Sequence, residues 1–269
     1  MRRITREQLA ERIKAENPWW QTGSIGSEYD QMKPRAYFRL FFPLAKDLNV
    51  KRALVLMGPR RVGKTVLMHH VIRKLLADGV SPRQIAFVSV DHPLYNGLGL
   101  EDLVTLYRNV AGADNAKTQY LFFDEIQYLK NWQIHLKSLV DSSRNTKFIV
   151  SGSAAAALSL KSRESGAGRF TDFLLSPLTF YEYLSLIDRN HLLKKVYVGG
   201  RELFQADDIS LLNRHFIDFL NFGGYPEAIF SEKIQANPTR FIKRDIIDKV
   251  LLRDLPSLYG ISDIQELNR

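Results

Sequence analysis

Eight residues, Gly58-Pro59-Arg60-Arg61-Val62-Gly63-Lys64-Thr65, stand between an apolar run at 53–57 and a stretch in which Val66, Leu67, Val71 and Leu75 recur at helical spacing. The short apolar run, flanked by Lys51-Arg52, reads as a strand buried on both faces. The periodic stretch closes at Gly79, a residue suited to a helix C-cap. The eight residues must therefore turn a buried strand into a helix, and they fit the pattern G-x-x-x-x-G-K-[ST] in full. Glycines let backbone N–H groups curl around an anion, and the helix N-terminus beyond adds its partial positive charge. The spacing thus predicts a site for the phosphates of a nucleoside triphosphate. Gly58, Pro59, Arg60, Arg61, Val62, Gly63, Lys64, Thr65 and Val66 would line the nucleotide, with Lys64 reaching the β and γ phosphates and Thr65 binding Mg²⁺. Arg60 and Arg61 are open between exposed loop positions and contacts to phosphate or a partner.

The same alternation of strand and helix recurs downstream. Strands are expected at 85–90, 120–124 and 147–151, with helices near 100–108 and 132–142, and a further strand at 170–175 ahead of Pro177. Such repetition predicts an α/β fold, a parallel sheet flanked by helices and joined by right-handed crossovers. From Thr179 onward the pattern turns helical, at 181–187, 209–221 and 239–252. The expected organisation is an N-terminal helical arm at 1–50, a core at 51–178 and a smaller helical region at 179–269. In the arm, Thr5 and Gln8 have capping-box spacing and Leu9 and Ile13 continue a helix as far as Asn17-Pro18-Trp19-Trp20. Adjacent tryptophans cannot share one helix face, so this cluster is expected to anchor the arm onto the core. A second amphipathic stretch covers 37–48.

Chemistry is expected at the strand ends. Leu121-Phe122-Phe123-Asp124-Glu125 is an apolar strand closing in two carboxylates, and in a parallel sheet the ligand lies beyond the C-terminal strand edge. Asp124 is the expected Mg²⁺ partner, and Glu125 is placed to activate a water against the γ phosphate. Phe148-Ile149-Val150-Ser151-Gly152-Ser153 ends in small polar residues. Ser151 is a candidate sensor of the γ phosphate; the competing reading is a strand-end turn with Ser153 capping a helix from Ala154. Arg169, after the polar stretch 161–167, is a candidate arginine finger acting in cis or from a neighbouring subunit, against a solvated or structural arginine, with Arg163 as its competitor. Asn221-Phe222-Gly223-Gly224-Tyr225-Pro226-Glu227 reads as a tight turn.

Composition excludes several alternatives. None of the 269 residues is cysteine, which rules out disulfides and thiolate metal sites, and six scattered histidines suggest no metal cluster. The charged start lacks a secretory core, and no apolar run nears the ~18 to 20 residues of a spanning helix, so a cytoplasmic protein with no membrane association is expected. The net charge of +9 is concentrated early: residues 1–65 hold 14 Lys or Arg against 6 Asp or Glu. A basic arm of this kind can neutralise nucleic-acid phosphates; the plainer reading gives some of the charge to the nucleotide and the rest to solvent.

With these residues in hand, the chain resembles the AAA-like ATPases of bacteria and archaea that carry a conserved C-terminal domain of unknown function. The resemblance runs over nearly the whole chain, on Asn17-Pro18-Trp19-Trp20, Gly58 to Thr65, Leu121 to Gln127 with Trp132, Ser151-Gly152-Ser153, Gly168-Arg169-Phe170, Pro177-Leu178-Thr179-Phe180 and Gly223-Gly224-Tyr225-Pro226. It implies that residues 58–65 are the Walker A loop, that Asp124 and Glu125 are the Walker B pair, and that Ser151 is the sensor-like position. It also implies a helical lid-like segment followed by a C-terminal region that helps bind nucleic acid or protein partners. Members usually continue well beyond a stop such as Arg269, so the resemblance implies a truncated or short member. The expected activity is ATP hydrolysis with Mg²⁺, switching or remodelling a bound partner, nucleic acid or protein, with a homo-oligomer as a separate expectation. Two alternatives stand beside it, a small-molecule kinase and a nucleic-acid-binding module in which ATP is structural. No Asn-Lys-x-Asp motif favours guanine.

Overall fold

A computed structural model describes residues 4–153 and 168–254. The chain divides into two compact units, one formed by Met1–Gly58 and Lys64–Leu175 with the chain from Val250, the other by Pro59–Gly63 and Ser176–Lys249.

The first unit is built on five parallel strands, β1 (Ala53–Gly58), β2 (Ile85–Ser89), β3 (Gln119–Asp124), β4 (Thr146–Ser153) and β5 (Phe170–Leu174), in the order β2-β3-β4-β1-β5. The apolar runs read as strands from the sequence are these strands. Every residue of β1 and β3 is buried, as both faces of a covered parallel sheet require. Their covers are α5 (Lys64–Ala77), α6 (Leu100–Ala111) and α7 (Trp132–Ser142), and the core is filled by Val55, Val88, Leu103, Phe123, Leu136 and their neighbours.

The arm belongs to the same unit. Its α1 (Arg6–Glu16) starts with the expected capping box between Thr5 and Gln8, and short α2 (Trp19–Thr22) and α3 (Ser27–Asp30) lead to α4 (Phe38–Lys46). The anchoring role expected of the tryptophans takes a specific form. Among the described residues strand β2 has a neighbour on one side only, and the Asn17 carboxamide pairs with its other edge, donating to Phe87 O at 2.8 Å and accepting from Phe87 N at 2.6 Å. Trp19 and Trp20 both donate their indole N–H to Ile85 O, at 3.0 and 2.8 Å. Side chains thus satisfy backbone groups that would otherwise invite another strand.

The second unit holds α8 (Phe180–Leu186), capped by Thr179 and Glu182, and α9 (Ile209–Phe222), capped by Asp208. Leu178, Tyr183, Leu184, Leu212 and Ile229 form its core. The helical region expected beyond Thr179 is present, and it also holds an antiparallel hairpin of β6 (Leu193–Val198) and β7 (Arg201–Ala206) that the helical pattern did not include. Gly199 (φ 58°) and Gly200 (φ 78°) make its two-residue turn, in which both positions need left-handed backbone. The helix expected at 239–252 is a short helix, Pro238–Phe241, running on into π-helical turns over Ile242–Ile247 and Val250–Asp254. Among the described residues no helix is long and apolar enough to cross a membrane.

Candidate nucleotide site

Strand order decides which residues meet. Because β4 lies between β1 and β3, its register brings Ser151 beside Leu56 and Ser153 beside Gly58, while Val150 lies beside Phe123. The loop after β1 and the carboxylates at the end of β3 therefore share one sheet edge, with the polar end of β4 between them.

Side chains complete the convergence. Thr65 Oγ1 donates to Asp124 Oδ2 at 2.6 Å. The Ser151 hydroxyl donates to Asp124 Oδ1 and accepts from the backbone N–H of Glu125 at 3.2 Å. Asp124 is 3% exposed, and a charge so far from water needs donors; each of its oxygens has a hydroxyl. Lys64, also buried, donates to Gly58 O at 3.0 Å, so its ammonium lies against the carbonyl that opens its own loop. The loop curls through left-handed backbone at Arg61 (φ 68°) and Gly63 (φ 92°), the kind of turn from which anion-binding nests are built. Val62 is buried, and Pro59, Arg60, Gly63 and Val66 are half-buried. Arg61 pairs with Glu227 and, at 3.7 Å, with Asp245, and its guanidinium lies 5.9 Å from the centre of the Phe241 ring.

Glu125 turns the chain out of β3 in left-handed backbone (φ 56°, ψ 45°), rare for a residue with a side chain. The Gln127 amide donates to its Oε2. Ser151, the candidate sensor, has its hydroxyl committed to Asp124, whereas the Ser153 hydroxyl at the same strand end is buried with no partner among the described residues.

Arg169 lies elsewhere. Its carbonyl accepts from Ala53 N at 2.9 Å and its Nε donates to Asp141, next to the start of β5. Ala53 opens β1 and Gly58 closes it, so Arg169 is about 17 Å of strand from the loop, on the opposite sheet edge. The reading of Arg169 as a finger in cis is thereby corrected to a structural ion pair. Its competitor Arg163, and the helix expected from Ala154, lie outside the described residues. Sequence reasoning missed Gln127 and the open hydroxyl of Ser153. A polar residue within the apolar turn Ile126–Tyr128 was the available signal for the first, but its contact depends on strand adjacency.

The residues fit Mg²⁺. Thr65 and Asp124 offer hard oxygen atoms 2.6 Å apart, and no group of three or more His, Cys, Asp or Glu among the described residues forms an all-protein cage. Magnesium takes one or two protein oxygens and completes its octahedron with phosphate and water, which matches so sparse a donor set.

A strand, a glycine loop with its lysine and threonine, and an acidic strand end reached across one intervening strand define a P-loop nucleotide-binding domain. The family model described as an AAA domain matches residues 50–184, half of the chain. The chain belongs to that family. Among its relatives, the uncharacterized protein MJ1544 of Methanocaldococcus jannaschii is 28% identical over 226 residues, 82% of this chain and 47% of that protein. An uncharacterized protein of Haemophilus influenzae is 25% identical over 210 residues, 78% of this chain and 47% of that one. The chain thus spans about half the length of the curated relatives it matches. Among solved structures, the Aeropyrum pernix ORC2 protein aligns with a TM-score of 0.42 at 14% identity, over 60% of this chain and 54% of that one. The Hsp104:casein complex of S. cerevisiae aligns with a TM-score of 0.44 at 14% identity, over 65% of this chain and 31% of that one.

Proposed function

We propose that the protein binds ATP with Mg²⁺, hydrolyses it, and uses nucleotide state to switch or remodel a bound partner, a protein, a nucleic acid or a second copy of the chain. The observation that carries this reading is the 2.6 Å contact of Thr65 with Asp124 at the strand edge where Glu125 also stands. Lys64 leaves Gly58 O for the β and γ phosphates. Thr65 and Asp124 would hold Mg²⁺, which would supply neutralisation of phosphate charge. Ser151 keeps Asp124 in place, and Glu125 orients a water toward the γ phosphorus and takes its proton as ADP departs. The open hydroxyl of Ser153 is a donor for a γ-phosphate oxygen. In this scheme residues 51–178 are the ATPase core and 179–269 a lid-like region. A carboxylate next to Asp124 suits activation of water better than transfer to a small-molecule acceptor.

Turnover by the parent, Lys64→Ala and Glu125→Gln tests this. Lys64→Ala is expected to lose both nucleotide binding and hydrolysis. Glu125→Gln should bind Mg²⁺-ATP as the parent does while hydrolysing it about 10²- to 10⁴-fold more slowly. Turnover of Glu125→Gln equal to the parent's removes Glu125 from the role of base.

A further inference from the structure

Gln127 is polar, 4% exposed, and unused by the mechanism above. Burial at that depth is costly unless both ends of the carboxamide are bonded, and both are. Nε2 donates to Glu125 Oε2, and Oε1 accepts the backbone N–H of Ser153 at 3.4 Å. The contacts fix the orientation of the group. The Ser153 N–H can only donate, so the atom facing it is the oxygen, and the NH₂ is left for the carboxylate. Glutamate of the same length would set carboxylate against carboxylate, and a hydrocarbon would serve neither partner.

Position gives the link its meaning. Glu125 leaves β3 through left-handed backbone, and the turn Ile126–Tyr128 brings residue 127 back beside it. Ser153 closes β4 next to Gly58, where the phosphate-binding loop begins. Gln127 therefore ties the carboxylate of Glu125 to the strand end that borders the loop.

We propose that Gln127 is a positioning residue, which aims Glu125 at the attacking water and makes its aim follow the end of β4. This rests on the ATPase reading, with Glu125 as the base. Gln127→Met removes both bonds at similar volume, whereas Gln127→Glu keeps the acceptor for Ser153 N–H and replaces the donor to Glu125 by a second carboxylate. Both variants are expected to lower kcat about 10- to 100-fold, the cost of misplacing a reacting group. In Gln127→Met the Kd for a fluorescent ATP analogue with Mg²⁺ should stay within about threefold of the parent, so that the loss falls on kcat.

Hydrogen exchange at the Ser153 amide, read in nucleotide-free protein, should accelerate in Gln127→Met and keep the parent rate in Gln127→Glu. Turnover within about twofold of the parent in both variants overturns the proposal, as does a loss of kcat matched by an equal loss of ATP affinity. An unchanged Ser153 amide in Gln127→Met also overturns it. Should the parent hydrolyse ATP no faster than Glu125→Gln, the hydrolysis reading falls by itself, and the exchange result still decides whether the tie exists.

Discussion

Packing decides the charge on His69. This residue of α5 is 4% exposed, stacked on Tyr29 with ring centres 3.8 Å apart and set against Phe87 at 4.6 Å. Burial, with a smaller contribution from His70, pulls its pKa from 6.5 down to about 3. The same burial pushes the Tyr29 hydroxyl up to about 12, so neither ring carries charge in the native state near neutrality. The sign of the linkage follows. Below 6.5 the unfolded chain takes up a proton at His69 that the native chain refuses until about pH 3, so stability falls as the pH drops through that window. The slope due to this residue is about 1.4 kcal/mol per pH unit. His69→Phe keeps an aromatic ring in the stack and removes the titration. Urea unfolding should give similar stabilities for parent and variant at pH 7, and at pH 4 a variant about 3 kcal/mol more stable than the parent. Equal stabilities at pH 4 would show that the native site admits the charged ring. Such consequences are illegible in sequence, where His69 is one of six scattered histidines. Lys64, Thr65, Asp124 and Glu125 could be singled out because a glycine loop after a strand and an apolar strand ending in carboxylates are visible as patterns, and the fold adds the contact of Thr65 with Asp124. Gln127 and Ser153 were not, because their meaning depends on β4 lying next to β3.

At the scale of elements, β1 to β4 could be read because each holds an apolar run that is almost wholly buried, whereas β5 is only partly covered. The hairpin β6–β7 could not be read by the same rule. Its residues are mostly exposed, and Tyr197, Val198, Leu203 and Phe204 stand in solvent, so hydrophobic patterning carried no clear strand signal. The Gly199-Gly200 dipeptide directly after the β-favouring Val196-Tyr197-Val198 was the sign that remained. The opposite happened at Asn17-Pro18-Trp19-Trp20, where an anchor was expected but its target could not be known before the sheet order was. Asn17 serves both Phe87 N–H and Phe87 O on the unpaired side of β2, and nothing of similar length but a carboxamide can do both. Asn17→Ala should therefore cost about 2 to 4 kcal/mol in urea unfolding, combining lost hydrogen bonds with an unsatisfied buried N–H. It should also raise light scattering on storage, since the edge of β2 is opened to pairing with other chains. A change below about 0.5 kcal/mol would mean that water replaces the carboxamide there.

For the molecule as a whole, the question is where its positive charge is spent. The excess lies in residues 1–65, yet much of it is engaged within the fold. Arg12 pairs with Glu16 at 2.6 Å, Lys14 with Glu11 at 3.1 Å and Lys46 with Asp78 at 2.7 Å. Lys51 and Arg52 donate to the carbonyls of Asp141 and Gly168, Arg61 pairs with Glu227, Lys64 lies on Gly58 O, and Arg35 is buried. Each surface pair is worth little to stability, but an engaged cation must give up its partner before it neutralises a phosphate. Few counterions would then be released on binding DNA, and each phosphate contact contributes about −0.9 to the slope of log K against log salt. Titration of a duplex between 50 and 200 mM salt should accordingly give a slope shallower than about −3, and added duplex should leave ATP turnover unchanged. A slope of about −6 or steeper, with turnover stimulated by DNA, would mean that these ion pairs open on contact and that the arm is a nucleic-acid surface, making DNA the partner that the nucleotide switches.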